Sequence, residues 1–259
     1  MSLRVLVSSM LVQMKKSFAR PMFRVCLLIE PIANTILLYY MFRHSGRSDF
    51  GTYVILGGGL TSLWEVILFS SAGDINRERY SGTLSLLFAM PTPFPAILLG
   101  KIMGNTVLSF ITLILSYATA RILFGLTLAV SSIGLLIAAL VMAAISFVVI
   151  SMFLAYALTL SRRTVLYMNC LNFPIFLLCG FAFPIEILPQ WALPLSYALP
   201  PTWAIRLLRM CFVSPMDPLL FGEYSLILAG EIVVFAFFAV LLYRVIDRQV
   251  RIRASLEVF

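Results

Sequence analysis

Charged residues are scarce in this chain. Asp, Glu, Lys and Arg make up 12% of its 259 residues, whereas a soluble domain carries about 25%. Hydrophobic residues make up 61%, and the mean hydropathy is +1.02. A membrane helix needs about 20 mostly apolar residues, so six of them would use roughly half of the chain. We therefore expect a single membrane domain over residues 1–259 and no separate soluble domain.

Residues for metal binding or hydrolytic catalysis are also few. The single histidine, His44, has no carboxylate or cysteine cluster near it in sequence. No C-x-x-C, G-x-S-x-G or H-E-x-x-H pattern occurs. The four cysteines are Cys26, Cys170, Cys179 and Cys211. We expect no disulfide framework, no metal site and no membrane hydrolase.

A phosphate-binding loop is absent as well. The only Gly-Lys pair is Gly100 and Lys101, but Pro95 stands where the first glycine of G-x-x-x-x-G-K-[ST] belongs, and Ile102 follows the lysine. We therefore expect that the chain hydrolyses no nucleotide, is not an enzyme and binds no cofactor of its own.

The first twenty residues have a helical hydrophobic period. Apolar residues recur at spacings of three and four, and polar residues lie mostly on the other face. This pattern predicts an amphipathic helix at the membrane interface over residues 1–20. The alternative is a secretory signal peptide, which is disfavoured because Lys15 and Lys16 follow the apolar run and no small-x-small cleavage site precedes Pro21.

Apolar runs predict six membrane-spanning helices. They cover about residues 22–42, 51–73, 97–124, 132–160, 165–183 and 219–243. Pro31, beside Glu30, predicts a kink in the first span. Gly100 and Gly104 have the GxxxG spacing that allows close helix approach. A basic tail follows the last span.

The distribution of basic residues predicts the orientation. Of the 19 Lys and Arg residues, 14 fall on the side of the two termini. The other side has Arg43, Arg47, Arg121, Arg206 and Arg209. Basic residues favour cytoplasmic loops, so we expect a multi-pass protein of the cytoplasmic membrane with both termini in the cytoplasm. The net charge of +8 then reflects loops beside the lipid bilayer and not nucleic-acid binding.

Two carboxyl residues, Glu65 and Glu231, lie near the middle of predicted spans. A charge there costs several kcal/mol unless it faces water or a partner. Either residue can line a transport path or bind an ion, or it can hold two helices together as a hydrogen-bonded carboxyl group. Glu30 lies nearer the interface, and for this residue we favour the second role.

The segment 74–95 connects the second and third spans. It begins with interleaved charges, passes a break at Ser81-Gly82, and continues as a short apolar helix that prolines stop. Such a helix can dock into a partner protein. Composition alone favours a solvated loop instead.

The segment 184–218 holds seven of the 13 prolines, together with Trp191 and Trp203. A Pro-rich backbone that leaves a helix and returns to the same side is compatible with a re-entrant hairpin of two short helices, since irregular backbone at membrane depth must be buried or hydrated. The alternative is a plain external loop with tryptophans at the interface.

Two sequence blocks resemble the signature of membrane subunits of type-2 ATP-binding-cassette (ABC) exporters. The first comprises Arg77-Glu78-Arg79, Gly82-Thr83-Leu84, Met90-Pro91 and Leu98-Leu99-Gly100-Lys101. The second comprises Gly180-Phe181-Ala182-Phe183-Pro184, Leu188-Pro189-Gln190-Trp191, Leu199-Pro200-Pro201-Thr202 and Leu208-Arg209. One departure is Ser85, where many members have glutamate, so one acidic contact to the ATPase is missing or supplied elsewhere.

The resemblance implies an all-α permease subunit with a cytoplasmic coupling helix and a re-entrant outer hairpin. It implies a homodimer or a pairing with a similar permease, and separate ATPase subunits that bind ATP and Mg. The implied cargo is a drug, an antibiotic, a peptide, a glycolipid or a polysaccharide. The implied ATPase-coupling residues are Arg77, Glu78, Arg79, Gly82, Thr83, Leu84, Leu87 and Pro91. The implied outer-gate residues are Phe181, Phe183, Pro184, Pro189, Trp191 and Pro200.

Two other functions stay open. One is a secondary transporter or channel that uses Glu65 and Glu231 as ion sites, which internal repeats would favour. No such repeat is visible in the sequence. The other is a membrane-embedded accessory protein without a transport path.

Overall fold

The computed structural model describes residues 3–44, 46, 50–83, 93–128, 130–159, 164–212 and 217–253. In these ranges the regular structure is helical. The helices are α1 (Leu3–Ala19), α2 (Pro21–Phe42), α3 (Phe50–Tyr80), α4 (Phe94–Ser109), α5 (Ile111–Phe124), α6 (Ile133–Thr159), α7 (Thr164–Leu178), a 3-10 turn (Ile185–Ile187), α8 (Leu193–Tyr197), α9 (Pro200–Met210) and α10 (Pro218–Arg253).

Five helical stretches of the described residues are long and apolar enough to cross a membrane. They are Pro21–Phe42, Phe50–Tyr80, Phe94–Phe124, Ile133–Thr159 and Pro218–Arg248. The third of them comprises α4 and α5, which meet at Phe110. These stretches agree with the first four predicted spans and the sixth. The chain is an all-α polytopic membrane protein.

The fifth predicted span is shorter than expected. It was predicted to reach Phe183, but α7 ends at Leu178, which gives a length of about 22 Å against a hydrocarbon core of about 30 Å. The helix ends because Gly180 has a positive φ of 66°, the left-handed conformation that terminates helices. Pro174 also lies inside α7, and it removes one backbone donor.

Two helices continue beyond their predicted spans. The polar residues 74–80 form the last turns of α3, and the predicted basic tail belongs to α10 as far as Arg253. Helix α3 ends at Ser81-Gly82, where Gly82 has a φ of 66°. Both extensions lack proline, so nothing in them breaks the helix where the apolar run stops.

Helix α3 is the centre of the bundle. It contacts α2, α4, α5, α6 and α7, and 88% of its most apolar stretch is buried, against 11% to 28% for the other four. Trp64 packs against Phe147 of α6 and Phe181, with ring centroids 6.4 and 5.9 Å apart. Glycines of α3 let its neighbours approach closely: a Cβ on Gly58 would lie 3.0 Å from the Cα of Thr35 in α2.

Helix α1 packs against α4 through the GxxxG pair. A Cβ on Gly100 would lie 2.7 Å from the carbonyl oxygen of Leu6, and one on Gly104 would lie 2.7 Å from that of Met10. The close approach that the spacing allows is therefore realised, with α1 as the partner. The polar residues Gln13 and Ser17 are buried in this contact, whereas the apolar residues Leu3, Val7, Leu11 and Phe18 are exposed.

We predict that Gly100→Ala and Gly104→Ala each displace α1 from α4 and destabilise the protein by about 1–3 kcal/mol, because the new methyl group meets backbone atoms that cannot rotate away. The measurement is the thermal unfolding midpoint of the purified protein in lipid nanodiscs. The matched control is Gly230→Ala in α10, where nothing lies within 4 Å of the new Cβ. If Gly100→Ala lowered the thermal midpoint no more than Gly230→Ala does, this result would contradict the close packing of α1 on α4.

Candidate functional site

A buried carboxylate, Asp74, lies at the centre of a polar cluster between α1, α3 and α4. Its side chain is 3% exposed. It accepts hydrogen bonds from Nε2 of Gln13, from Nη1 of Arg20 at 3.1 Å and from Nε of Arg77 at 3.1 Å. Burial lowers the pKa of Arg20 below its ordinary value, and the charge of Asp74 offsets only part of this shift. Asp74 thus joins α3 to α1 and to the α1–α2 corner.

The same cluster reaches α4 through Asn105. Its Oδ1 accepts hydrogen bonds from Oγ of Ser17 at 2.7 Å and from Nε2 of Gln13 at 3.3 Å. Nη2 of Arg20 donates to Oγ of Ser17 at 2.7 Å. All three hydrogen-bonding side chains on α1 and α4 are fully buried, so this cluster replaces the apolar contact that usually joins two helices.

One turn further along α3, Glu78 bridges two lysines. Its Oε1 accepts hydrogen bonds from Nζ of Lys16 in α1 at 2.9 Å and from Nζ of Lys101 in α4 at 2.8 Å. Its Oε2 accepts a hydrogen bond from Oγ1 of Thr83, and its backbone oxygen accepts one from the Thr83 amide at 3.0 Å. Two cations beside one carboxylate keep it ionised.

Arg79 extends the cluster to a fourth helix. Its Nη2 donates to the backbone oxygen of Thr159 at 2.6 Å, and Thr159 is the last residue of α6. A cation there also matches the negative end of the helix dipole. We name the whole cluster the polar junction. It comprises Gln13, Lys16, Ser17, Arg20, Asp74, Arg77, Glu78, Arg79, Thr83, Lys101 and Asn105.

The polar junction contains four of the residues predicted for coupling: Arg77, Glu78, Arg79 and Thr83. Gly82 ends α3. Leu84, Leu87 and Pro91 lie outside the described residues. The sequence does not predict that Gln13, Lys16, Asp74 and Asn105 form one cluster. The pairs Asp74 with Glu78 and Lys101 with Asn105 nevertheless have the i, i+4 spacing that places side chains on one helix face.

A cavity of about 480 Å³ lies beside the polar junction. One flank of α1 forms its long wall, and Glu78, Ile97 and Lys101 form the other. Among the described residues, no group of three or more His, Cys, Asp or Glu side chains could hold a metal ion.

The segment between α7 and α10 is fixed to the bundle by Arg209. Its Nη2 donates to the backbone oxygens of Gly180 at 2.8 Å and Phe181 at 2.9 Å. The guanidinium group lies 4.4 Å from the ring centroid of Tyr53 in α3. Arg209 thus links the turn after α7 to the end of α9 and to α3.

A second arginine, Arg206, joins the other parts of this segment. It forms a 2.8 Å ion pair with Glu186. Its guanidinium group lies 5.0 to 5.7 Å from the ring centroids of Tyr197, Trp203 and Tyr224. Such contacts between a cation and aromatic rings are worth about 0.5–2 kcal/mol each, so these short elements form one packed unit.

The residues predicted for an outer gate lie in different surroundings within this unit. Phe181 is fully buried and stacks against Phe176 at 6.1 Å. Pro184 and Pro200 are also buried, and Phe183 is half-buried. Pro189 is exposed, and Trp191 is 74% exposed.

The two mid-span carboxyl groups contact different residues. Oε1 of Glu231 accepts a hydrogen bond from Nε1 of Trp203 at 3.1 Å. Glu65 interacts with the side chains of Glu30 in α2 and Asn172 in α7. Oδ1 of Asn172 also accepts a hydrogen bond from Nε1 of Trp64 at 2.9 Å.

Comparison with known proteins gives one family match. The sequence model described as ABC-2 type transporter matches residues 4–213, a range that includes the polar junction and the segment that contains Arg206 and Arg209. None of the curated proteins matches the sequence significantly.

We predict that Asp74→Asn destabilises the protein strongly, because it leaves Arg20 half-buried without its counter-charge. Breaking a buried ion pair costs about 3–5 kcal/mol, and the low end applies here since the Arg20 and Arg77 side chains are 24% and 44% exposed. The thermal unfolding midpoint in nanodiscs measures the effect.

The control for this substitution is Glu186→Gln. It removes a carboxylate from the pair with Arg206, but Glu186 is 64% exposed, so the cost should be about 0–1 kcal/mol. Equal losses from Asp74→Asn and Glu186→Gln would contradict a structural role for the polar junction.

Proposed function

The chain belongs to the ABC-2 type transporter family and is therefore a membrane permease component of an ABC transporter; from this premise we propose that it works in an ATP-driven exporter. The proposed cargo, moved out across the cytoplasmic membrane, is a drug, an antibiotic, a peptide, or a lipid-linked or polysaccharide molecule. The family works with ATPase subunits. We propose that two of them, with bound ATP and Mg, drive two permease copies or a pair of similar permeases.

The main structural support for this proposal is the polar junction. Through Asp74, Glu78 and Arg79 it connects the end of α3, where the segment that resembles the coupling region begins, to three other helices. A displacement of the end of α3 therefore also displaces α1, α4 and α6, because charged hydrogen bonds in a buried site resist separation. This is the connection that a permease needs if a partner protein is to move its helices.

The contact with the ATPase is proposed at the exposed end of this connection. Tyr80, in the last turn of α3, is 83% exposed, and Arg77 is half-exposed. In the sequence, both precede Leu84, Leu87 and Pro91, to which we assign the docking itself. Glu78, Arg79 and Thr83 transmit the movement, since their side chains are engaged within the polar junction.

The segment of Arg206 and Arg209 is proposed as the outer gate. Arg209 binds backbone oxygens at the turn after α7 and contacts Tyr53, so a movement of α3 reaches Phe181 and Phe183. The exposed residues Pro189 and Trp191 lie at the surface of the same unit. Glu65 and Glu231 remain proposed polar positions along the path.

The proposed orientation places both termini and the polar junction in the cytoplasm. Support comes from the clustering of basic residues: Lys16, Arg20 and Lys101, which the charge count assigns to one side, meet at the polar junction. Arg206 and Arg209, assigned to the other side, lie together in the proposed gate.

We predict that an ABC ATPase copurifies with the tagged chain from its native membrane, and that Tyr80→Ala weakens this association without changing the thermal midpoint. Loss of a large exposed side chain at a contact should lower ATP-dependent export at limiting ATPase concentration. Leu219→Ala, at a position in α10 that is 85% exposed, is the matched control. Absence of any nucleotide-binding partner would exclude the ATP-driven mechanism.

We also predict opposite accessibility for two introduced cysteines in a background that lacks the four native ones. Cysteine at Glu186 should react with an impermeant thiol reagent in intact cells, whereas cysteine at Tyr80 should react only after the membrane is opened. Labelling of Tyr80→Cys in sealed cells would reverse the proposed orientation.

A further inference from the structure

Helices α2 and α3 pack as an antiparallel pair with a regular register. Leu38 packs near Val54, Nδ2 of Asn34 donates to Oγ of Ser62 at 3.0 Å, and Leu27 packs near Val66. This register places Glu30 opposite Glu65. The two carboxyl groups interact with each other.

The surroundings of this pair supply little to balance two negative charges. The Cys26 thiol lies beside Glu30, and the Asn172 amide lies beside Glu65. Oε2 of Glu30 is buried and has no hydrogen-bond partner among the described residues. Leu108 and Ile111 pack against the cluster of Leu27 and Val66, which lie close to Glu30 and Glu65 along α2 and α3, and they are apolar.

Within the described ranges, no Lys, Arg or His forms an ion pair with Glu30 or Glu65. Helices α6 and α7 contain no Lys, Arg or His, and the only basic residue of α5 is Arg121, near its far end. Lys101 of α4 is paired with Glu78, Arg20 is paired with Asp74, and Arg24 of α2 is exposed. In the described part of the chain, the ion pairs lie at the polar junction or on Arg206.

Two ionised carboxylates in contact at membrane depth repel each other and also lose their hydration. One proton between them removes one charge and supplies the hydrogen that a carboxyl–carboxyl contact needs. We propose that Glu30 and Glu65 form a proton-binding site in which the two carboxyl groups hold one shared proton between α2 and α3.

The shared proton makes the packing of α2 on α3 depend on pH. When the proton leaves, both oxygens at the contact carry negative charge, so the folded protein loses stability as the pH rises through the release of the proton. Because the two groups interact, they titrate as a pair, and the proton affinity of each depends on the presence of the other.

The test uses the purified permease in nanodiscs without an ATPase, so its result does not depend on the proposed transport function. Infrared difference spectra during a pH titration follow the C=O stretch of a protonated carboxyl group. We expect Glu30→Gln to move the release of the remaining proton, from Glu65, to a pH lower by about one unit or more. Glu65→Gln should do the same for Glu30, and the double variant should lose the part of the signal that disappears in neither Glu231→Gln nor any other single control.

Glu231→Gln is the matched control, because Glu231 is also a mid-span carboxyl but contacts Trp203. It should leave the titration of the pair unchanged. The thermal midpoint should fall with rising pH in the wild type and in Glu231→Gln, and should fall less in either single variant of the pair.

Two results would overturn the proposal. The first is an unchanged titration of Glu65 in Glu30→Gln, which would mean that the carboxyl groups do not share a proton. The second is a thermal midpoint that falls at high pH and is restored by sodium or potassium but not by choline. This result would mean that the pair binds a metal cation and not a proton.

Discussion

The charge of Asp74 is the constraint on which one end of the helix bundle depends. A carboxylate removed from water costs several kcal/mol unless cations and hydrogen-bond donors surround it. Arg77, on the same helix, lies partly in solvent and supplies only part of the positive charge that balances Asp74. Gln13 must come from α1 and Arg20 from the α1–α2 corner, so the position of both helices against α3 is fixed by the groups that Asp74 requires.

The same requirement explains the orientation of α1. Its polar residues Gln13 and Ser17 face the bundle, and its apolar residues such as Leu11 are exposed. This is the reverse of an amphipathic helix on a soluble protein, and it suits a helix whose outer face meets lipid. The small residues Gly100 and Gly104 let α1 come close enough for Gln13 to reach Asp74.

The sequence predicted most of the fold because hydropathy is a one-dimensional signal. A run of apolar residues locates α6, for example, to within a residue or two at each end. The end of α3 is harder to predict from the sequence, because its polar turns from Asp74 to Tyr80 have no apolar period. Contacts with α1 and α4 stabilise these turns instead. Pairs such as Glu30 with Glu65 or Arg79 with Thr159 depend on helix register and rotation, which a hydrophobic pattern does not specify.

Two carboxyl groups of α3, Asp74 and Glu65, are balanced in different ways. Near the helix ends, arginine side chains can reach Asp74 while their own heads stay partly hydrated. At the level of Glu30, about 15 Å further along α2, neither carboxyl group of the pair has a basic partner among the described residues, so the proposed shared proton supplies the counter-charge. Both sites lie along α3. A displacement of α3 that begins at the polar junction, as proposed for the coupling to the ATPase, therefore also acts on the contact between Glu30 and Glu65 that binds the proposed proton.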